Sequence, residues 1–149
     1  MKIWLLLVSL LLISEIGYTQ SDAYSNRTSL LEQSEGTDDL TRAYRILSKK
    51  GNYEDKKAVL GVFQEDPANE RVVAMCVDLL IYNYTAENFK ENDQVMYYDD
   101  VIAEELIRIL GKGRSKTAAP ALLKVALQNK LHRELTILEA WKSLQNIEW

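Results

Sequence analysis

The chain has 149 residues, 47% of them hydrophobic, with 18 basic and 22 acidic side chains and a formal net charge of -4. That length suffices for one domain with a real core, and an acidic balance with both signs interspersed argues against general nucleic-acid binding, which needs a basic excess. Cys76 is the single cysteine, so no intramolecular disulfide can form and the fold must rest on its apolar interior.

In chain order, Lys2 precedes an almost unbroken apolar run, Ile3 to Ile13. At about eleven residues it has the length of the hydrophobic region of an export signal and falls well short of the roughly twenty needed to span a bilayer. Glu15 ends the run, and Gly17 and Thr19 place small residues where a cut between Thr19 and Gln20 requires them. Residues 1–19 are expected to be a removed signal peptide, which predicts a periplasmic or extracellular protein with no stable membrane insertion. Residues 20–36, QSDAYSNRTSLLEQSEG, are polar and Ser-rich and read as a flexible linker. Asn26-Arg27-Thr28 and Asn83-Tyr84-Thr85 fit the glycosylation acceptor pattern, which has meaning only where the source glycosylates exported proteins.

Over residues 37–149 the apolar period stays close to 3.6, and no stretch alternates as a strand would, so the spacing predicts an all-α domain of six helices. The first carries Leu40, Ala43, Tyr44 and Leu47, capped by Thr37 and stopped at Lys49-Lys50-Gly51. Ala58, Val59, Val62 and Phe63 mark the second, which ends before Pro67, and Val73, Cys76, Val77, Leu80 and Tyr84 the third. Asp99-Asp100 leads into a fourth with Ile102, Leu106, Ile109 and Leu110, ended by Gly111 and Gly113. The fifth has Pro120 in its first turn and a stripe of Ala119, Leu122, Leu123, Ala126 and Leu127; the sixth has Ile137, Ala140, Trp141 and Leu144.

Arg45-Ile46-Leu47 returns as Arg108-Ile109-Leu110, and each copy is followed by a Gly-containing basic turn and another amphipathic helix, so one helical unit is written twice. The stretch RILGKGRSKTAAPALLKVAL, followed by Arg133, Ala140-Trp141 and Leu144, resembles a HEAT repeat of the short bacterial kind. The earlier unit is similar: Ile46-Leu47, a basic turn, Ala58-Val59-Leu60, then Asp66-Pro67 and Arg71 before Val72-Val73-Ala74. The resemblance implies a short α-solenoid of about six antiparallel helices in two HEAT-like units, a fold used for binding or assembly.

Two surfaces are candidates for a partner. If the two units stack in register, Lys49 and Lys50 of one turn share an edge with Lys112, Arg114 and Lys116 of the other, an edge that suits an acidic partner or polyanion or simply complements helix C-termini. The segment from Tyr82 to Tyr98, inserted between the units, carries Tyr82, Tyr84, Phe89, Tyr97 and Tyr98. Aromatic side chains on a long connection are frequent interface anchors, although those flanking helices also serve to seal a core.

Other groupings carry little chemistry. Gly111 to Thr117 has the ingredients of a phosphate loop without its order or its preceding strand. The pairs Asp38-Asp39, Glu54-Asp55, Asp99-Asp100 and Glu104-Glu105 read mostly as helix starts, and His132 is the one histidine, placed at the start of the last helix beside Arg133 and Glu134. No catalytic residue, metal or cofactor is assigned. The expected role is an exported, non-catalytic interaction or scaffold module of the cell envelope, binding another protein or a second copy of itself; the alternative is a small-ligand or polyanion binder using the basic edge.

Overall fold

A computed structural model describes residues 38–49, 53–84, 93–127 and 132–149, and for 93–98 the backbone alone. These residues are all-helical. They form α1 (Asp39–Ser48), α2 (Tyr53–Glu65), α3 (Glu70–Tyr82), α4 (Asp93–Gly113), one 3-10 turn (Lys116–Ala118), α5 (Ala119–Leu127) and α6 (Glu134–Gln145), with no strand among the described residues.

Helix starts follow local chemistry, with two changes from expectation. Asp38, not Thr37, caps α1, its carboxylate accepting the Thr41 N–H at 2.7 Å. Asn69 caps α3 by accepting the Arg71 N–H at 3.0 Å. Helix α4 begins six residues before the expected Asp99-Asp100 start, so part of the segment between Tyr82 and Tyr98 is helical, and Asp99, Asp100, Glu104 and Glu105 all lie inside the helix. An Asp pair marks a helix start only when nothing else claims its carboxylates, and here both Asp99 and Asp100 are held by neighbouring helices.

Contacts at helix ends fix how the helices run. Near the starts of α1 and α3, Arg71 donates to Asp38 Oδ2 at 2.6 Å and to Thr41 Oγ1 at 2.5 Å. At their far ends the Tyr84 hydroxyl donates to the Leu47 carbonyl at 2.7 Å and the Asn83 amide to the Ser48 carbonyl at 2.8 Å, so α1 and α3 point the same way. Lys56 near the start of α2 meets Asp99 in the first half of α4 at 2.9 Å. Asp100 meets Thr136 at the start of α6, and Gly111 abuts Ser143 near its end, which aligns α4 with α6. Helix α4 runs against α3: its last residue, Gly113, packs on the Pro67 backbone before α3, while Lys56, bound to Asp99, lies 4.9 Å from the Tyr84 ring after α3.

The glycines near the end of α4 serve close packing. A Cβ at Gly111 would lie 2.9 Å from Ser143 Cβ and nearer still to its hydroxyl, which donates to the Ile107 carbonyl at 3.0 Å. A Cβ at Gly113 would lie 3.0 Å from the Pro67 carbonyl carbon and nearer to its oxygen. Gly113 has no positive φ; the left-handed position past the helix is taken by Arg114, with φ 55°.

The core joins all six helices. Leu47, Phe63, Met75, Cys76, Leu79, Leu106, Ile107, Leu110 and Leu122 are fully enclosed, each such aliphatic or aromatic side chain contributing about 2 kcal/mol through burial. Three stripes differ from expectation. In α2 the inner positions are Lys56, Leu60 and Phe63, whereas Ala58 is exposed and Val59 and Val62 are half-buried. In α5 and α6, Leu123, Leu127 and Trp141 face outward instead of joining the core, because Ala119, Leu122 and Ala126, and Ala140 and Leu144, already fill the inner faces.

Candidate functional site

The most elaborate polar constellation lies where α4 meets α6. Asp100, enclosed by protein, accepts the Arg133 N–H at 2.8 Å and the Thr136 hydroxyl at 2.8 Å, and its other oxygen lies 2.7 Å from His132 Nδ1. Arg133 occupies the cap position of α6 and has no side-chain cap of its own. The Asp100 carboxylate, projected from another helix, therefore supplies negative charge at the positive end of α6. Arg133 continues to Glu104 at 3.0 Å, Glu104 and Glu105 both hold Arg108, and Arg108 lies 3.8 Å from Glu139. Each acid answers a cation or a helix end, and the network clamps two helices together.

A matching device joins α1 to α3. Tyr44 donates to the buried carboxylate of Asp78 at 2.6 Å. Asp38 is held at about 2, below the usual carboxylate value of 3.8, by its hydrogen bond from Arg71 and then by the Thr41 N–H. Beside it lies an open groove of about 370 Å³ lined in part by Asp38, Asp39, Val62, Glu65, Asp66 and Arg71. Sequence spacing gave no hint of this groove, because its acids come from separate helix ends.

The residues proposed from sequence fall apart in space. Lys49 follows α1 at the end where Asn83 and Tyr84 close α3, whereas Lys112, Arg114 and Lys116 belong to the turn packed on Pro67, before α3 begins. The 13 residues of α3 separate the two turns by about 20 Å. Among the described residues a single basic edge therefore does not form, since the sequence repeat equates α1 with α4 and these run in opposite directions. Lys50 lies outside the described residues. Arg114 is drawn to the C-terminal tail, its carbonyl accepting the Glu148 N–H at 3.1 Å and its guanidinium 3.4 Å from the Glu148 carboxylate. Gly111 to Thr117 closes α4 and leads through the 3-10 turn into α5, with no strand before it.

Among the aromatic candidates, Tyr84 is a core residue, not an exposed anchor: it is 1% exposed and its hydroxyl is satisfied by Leu47. Burial and the neighbouring Asp99 raise its pKa, keeping the phenol protonated. Tyr82 is half-buried. Phe89 and the side chains of Tyr97 and Tyr98 lie outside the described residues. Cys76 is wholly enclosed, and burial pushes its thiol well above the ordinary value, as suits a small hydrophobe.

What sequence reasoning missed is the uncovered apolar surface of the last two helices. Leu123 and Leu127 on α5, Leu135, Leu138 and Trp141 on α6, and Trp149 of the tail are the large hydrophobic side chains left exposed among the described residues. Leu135 and Leu138 carried a detectable signal: they sit off the inner stripe of α6, where a solvated helix would place polar residues. Among the described residues no helix is long and apolar enough to cross a membrane, and no group of three or more His, Cys, Asp or Glu side chains is placed to hold a metal ion. Comparison with protein-family models, with curated proteins and with solved structures finds no match to this chain.

Proposed function

We propose that this protein is an exported, non-catalytic helical-repeat module that binds another protein through the uncovered face of its last two helices. The carrying observation is that, among the described residues, the six large hydrophobic side chains left exposed all belong to α5, α6 or the tail that follows. Apolar side chains concentrated at one end of a small domain are characteristic of interaction surfaces.

Support for a solenoid comes from the helix directions. Helices α1 and α3 run alike, and α4 runs against α3 and with α6, directions that suit two-helix hairpins stacked side by side. In that arrangement the repeating unit is a hairpin, with α1–α2, α3–α4 and α5–α6 as three HEAT-like units in place of the two three-helix units suggested by the sequence. In such a stack each hairpin buries its faces on its neighbours, and α5 and α6 keep Leu123, Leu127, Leu135, Leu138 and Trp141 exposed. The polyanion-binding alternative loses its main support with the separation of Lys49 from Lys112, Arg114 and Lys116.

The test is affinity capture from the native cell envelope with the protein and with a Leu123→Ser/Leu127→Ser/Trp141→Ala variant, each checked for helicity. A partner retained by the first bait at high salt and lost by the second is expected, because apolar burial resists screening. Equal capture by both baits overturns the assignment of this face. Export is tested by intact mass: a secreted chain beginning at Gln20 is expected, and one still beginning at Met1 overturns signal cleavage.

A further inference from the structure

The outer face of α6 carries apolar and charged side chains spaced evenly about one residue. At about 100° per residue, Leu135, Leu138 and Trp141 fall on one side of the helix, opposite the buried Thr136, Ala140, Ser143 and Leu144. They are 58%, 50% and 44% exposed. Leu138 is the midpoint. Leu135 and Trp141 lie equally far before and after it, and so do two exposed residues of opposite charge, Glu134 and Lys142.

A helix with that pattern is complementary to itself when turned end for end. Pairing two copies of α6 antiparallel about a two-fold axis through Leu138 brings each Leu135 level with the other copy's Trp141, and each Glu134 level with the other copy's Lys142. Leu138 meets itself on the axis. The contact is isologous, so every favourable pair occurs twice. Lys142 is available for it, being 69% exposed and only loosely held by Glu139 at 3.6 Å. A parallel pairing would instead set Glu134 against Glu134 and Lys142 against Lys142.

We infer that the occupant of the α6 face is a second copy of this chain, docked antiparallel to form a two-fold dimer centred on Leu138. The inference rests on the proposed interaction role of this face and names its partner. One helix face buries less than the ~800 Å² per partner of a standard interface, so the dimer is a reversible one whose population rises with concentration.

The experiment is sedimentation of the purified protein over a range of concentrations, with circular dichroism to confirm that each variant stays helical. A monomer–dimer equilibrium is expected. Leu138→Glu abolishes it, Glu134→Lys and Lys142→Glu each weaken it by about tenfold, and the double charge exchange restores it. Mild oxidation of Leu138→Cys gives a covalent dimer because the axis places the two thiols together, while Leu135→Cys, facing tryptophan, cross-links poorly; Cys76 is buried and does not interfere. A monomer at every concentration, a double exchange as weak as the single ones, or equal cross-linking at positions 135 and 138 overturns the dimer. A monomer that still captures a partner lost on substituting Trp141 overturns the dimer alone and leaves the interaction role intact.

Discussion

Asp38 shows how one side chain can serve two elements. It caps α1 and at the same time receives Arg71 from α3, and the second contact is the main reason its pKa falls to about 2. A carboxyl whose folded pKa lies below its unfolded one stabilises the fold above the unfolded value, near 4, and that stabilisation is lost as pH falls through 2. Acid titration of folding stability is expected to show a slope between pH 4 and pH 2 that Asp38→Asn reduces; an unchanged slope would show that Arg71 does not act through this residue. Arg114 is the other position where one residue sets the local outcome. Its φ of 55° is unfavourable for a side chain, and its ion pair with Glu148 is mostly exposed and weak. Arg114→Gly is therefore expected to raise folding stability by about 0.5–1 kcal/mol, read as an increased urea midpoint with unchanged slope. In sequence Gly111 and Gly113 simply end the helix; that Gly113 is required because a Cβ there would meet the Pro67 backbone emerges only from contact between distant segments.

At the scale of helices, the main feature is that caps and clamps are exchanged between elements. Helix α6 lacks a capping side chain of its own, and the carboxylate that does this work stands in α4. Removing it leaves the Arg133 N–H, the Thr136 hydroxyl and His132 Nδ1 in an enclosed site without their acceptor. Asp100→Ala is expected to cost about 3 kcal/mol in chemical denaturation, and an effect below 1 kcal/mol would mean that α6 is held by its apolar contacts alone. Helix positions themselves were largely legible from the 3.6-residue period. Capping by Asp38 in place of Thr37 moved a boundary by one residue, while the start of α4 was misplaced by six, since the Asp pair serves contacts to α2 and α6 and not a helix beginning. The phase of α2 was misread for a similar reason: a lysine, Lys56, occupies an inner position because Asp99 and the Tyr84 ring receive it there.

For the whole molecule, one core runs through all six helices, and Cys76 sits in it with no solvent exposure. Its thiol is expected to be inert to alkylation in the native state and to react at a rate that tracks global unfolding in urea, because no local opening of α3 exposes it without breaking the core. Fast labelling under native conditions would show that α3 opens separately. The same scale decides the surface. Leu123, Leu127 and Trp141 fit a helical apolar stripe in sequence, and only the arrangement of neighbours shows that nothing in the described residues covers them.

Helical class, the number of helices among the described residues and most of their buried positions were determined by the sequence alone, because periodicity and turn chemistry are local properties that survive any arrangement of the helices. Which helix runs beside which, which carboxylate caps which end, where the two basic turns lie and which apolar side chains stay outside were decided only in tertiary structure. Those outcomes depend on packing between residues thirty or more positions apart, such as Gly113 on Pro67 and Asp100 on Thr136, and a repeat in sequence carries no information on the direction in which its copies are laid down.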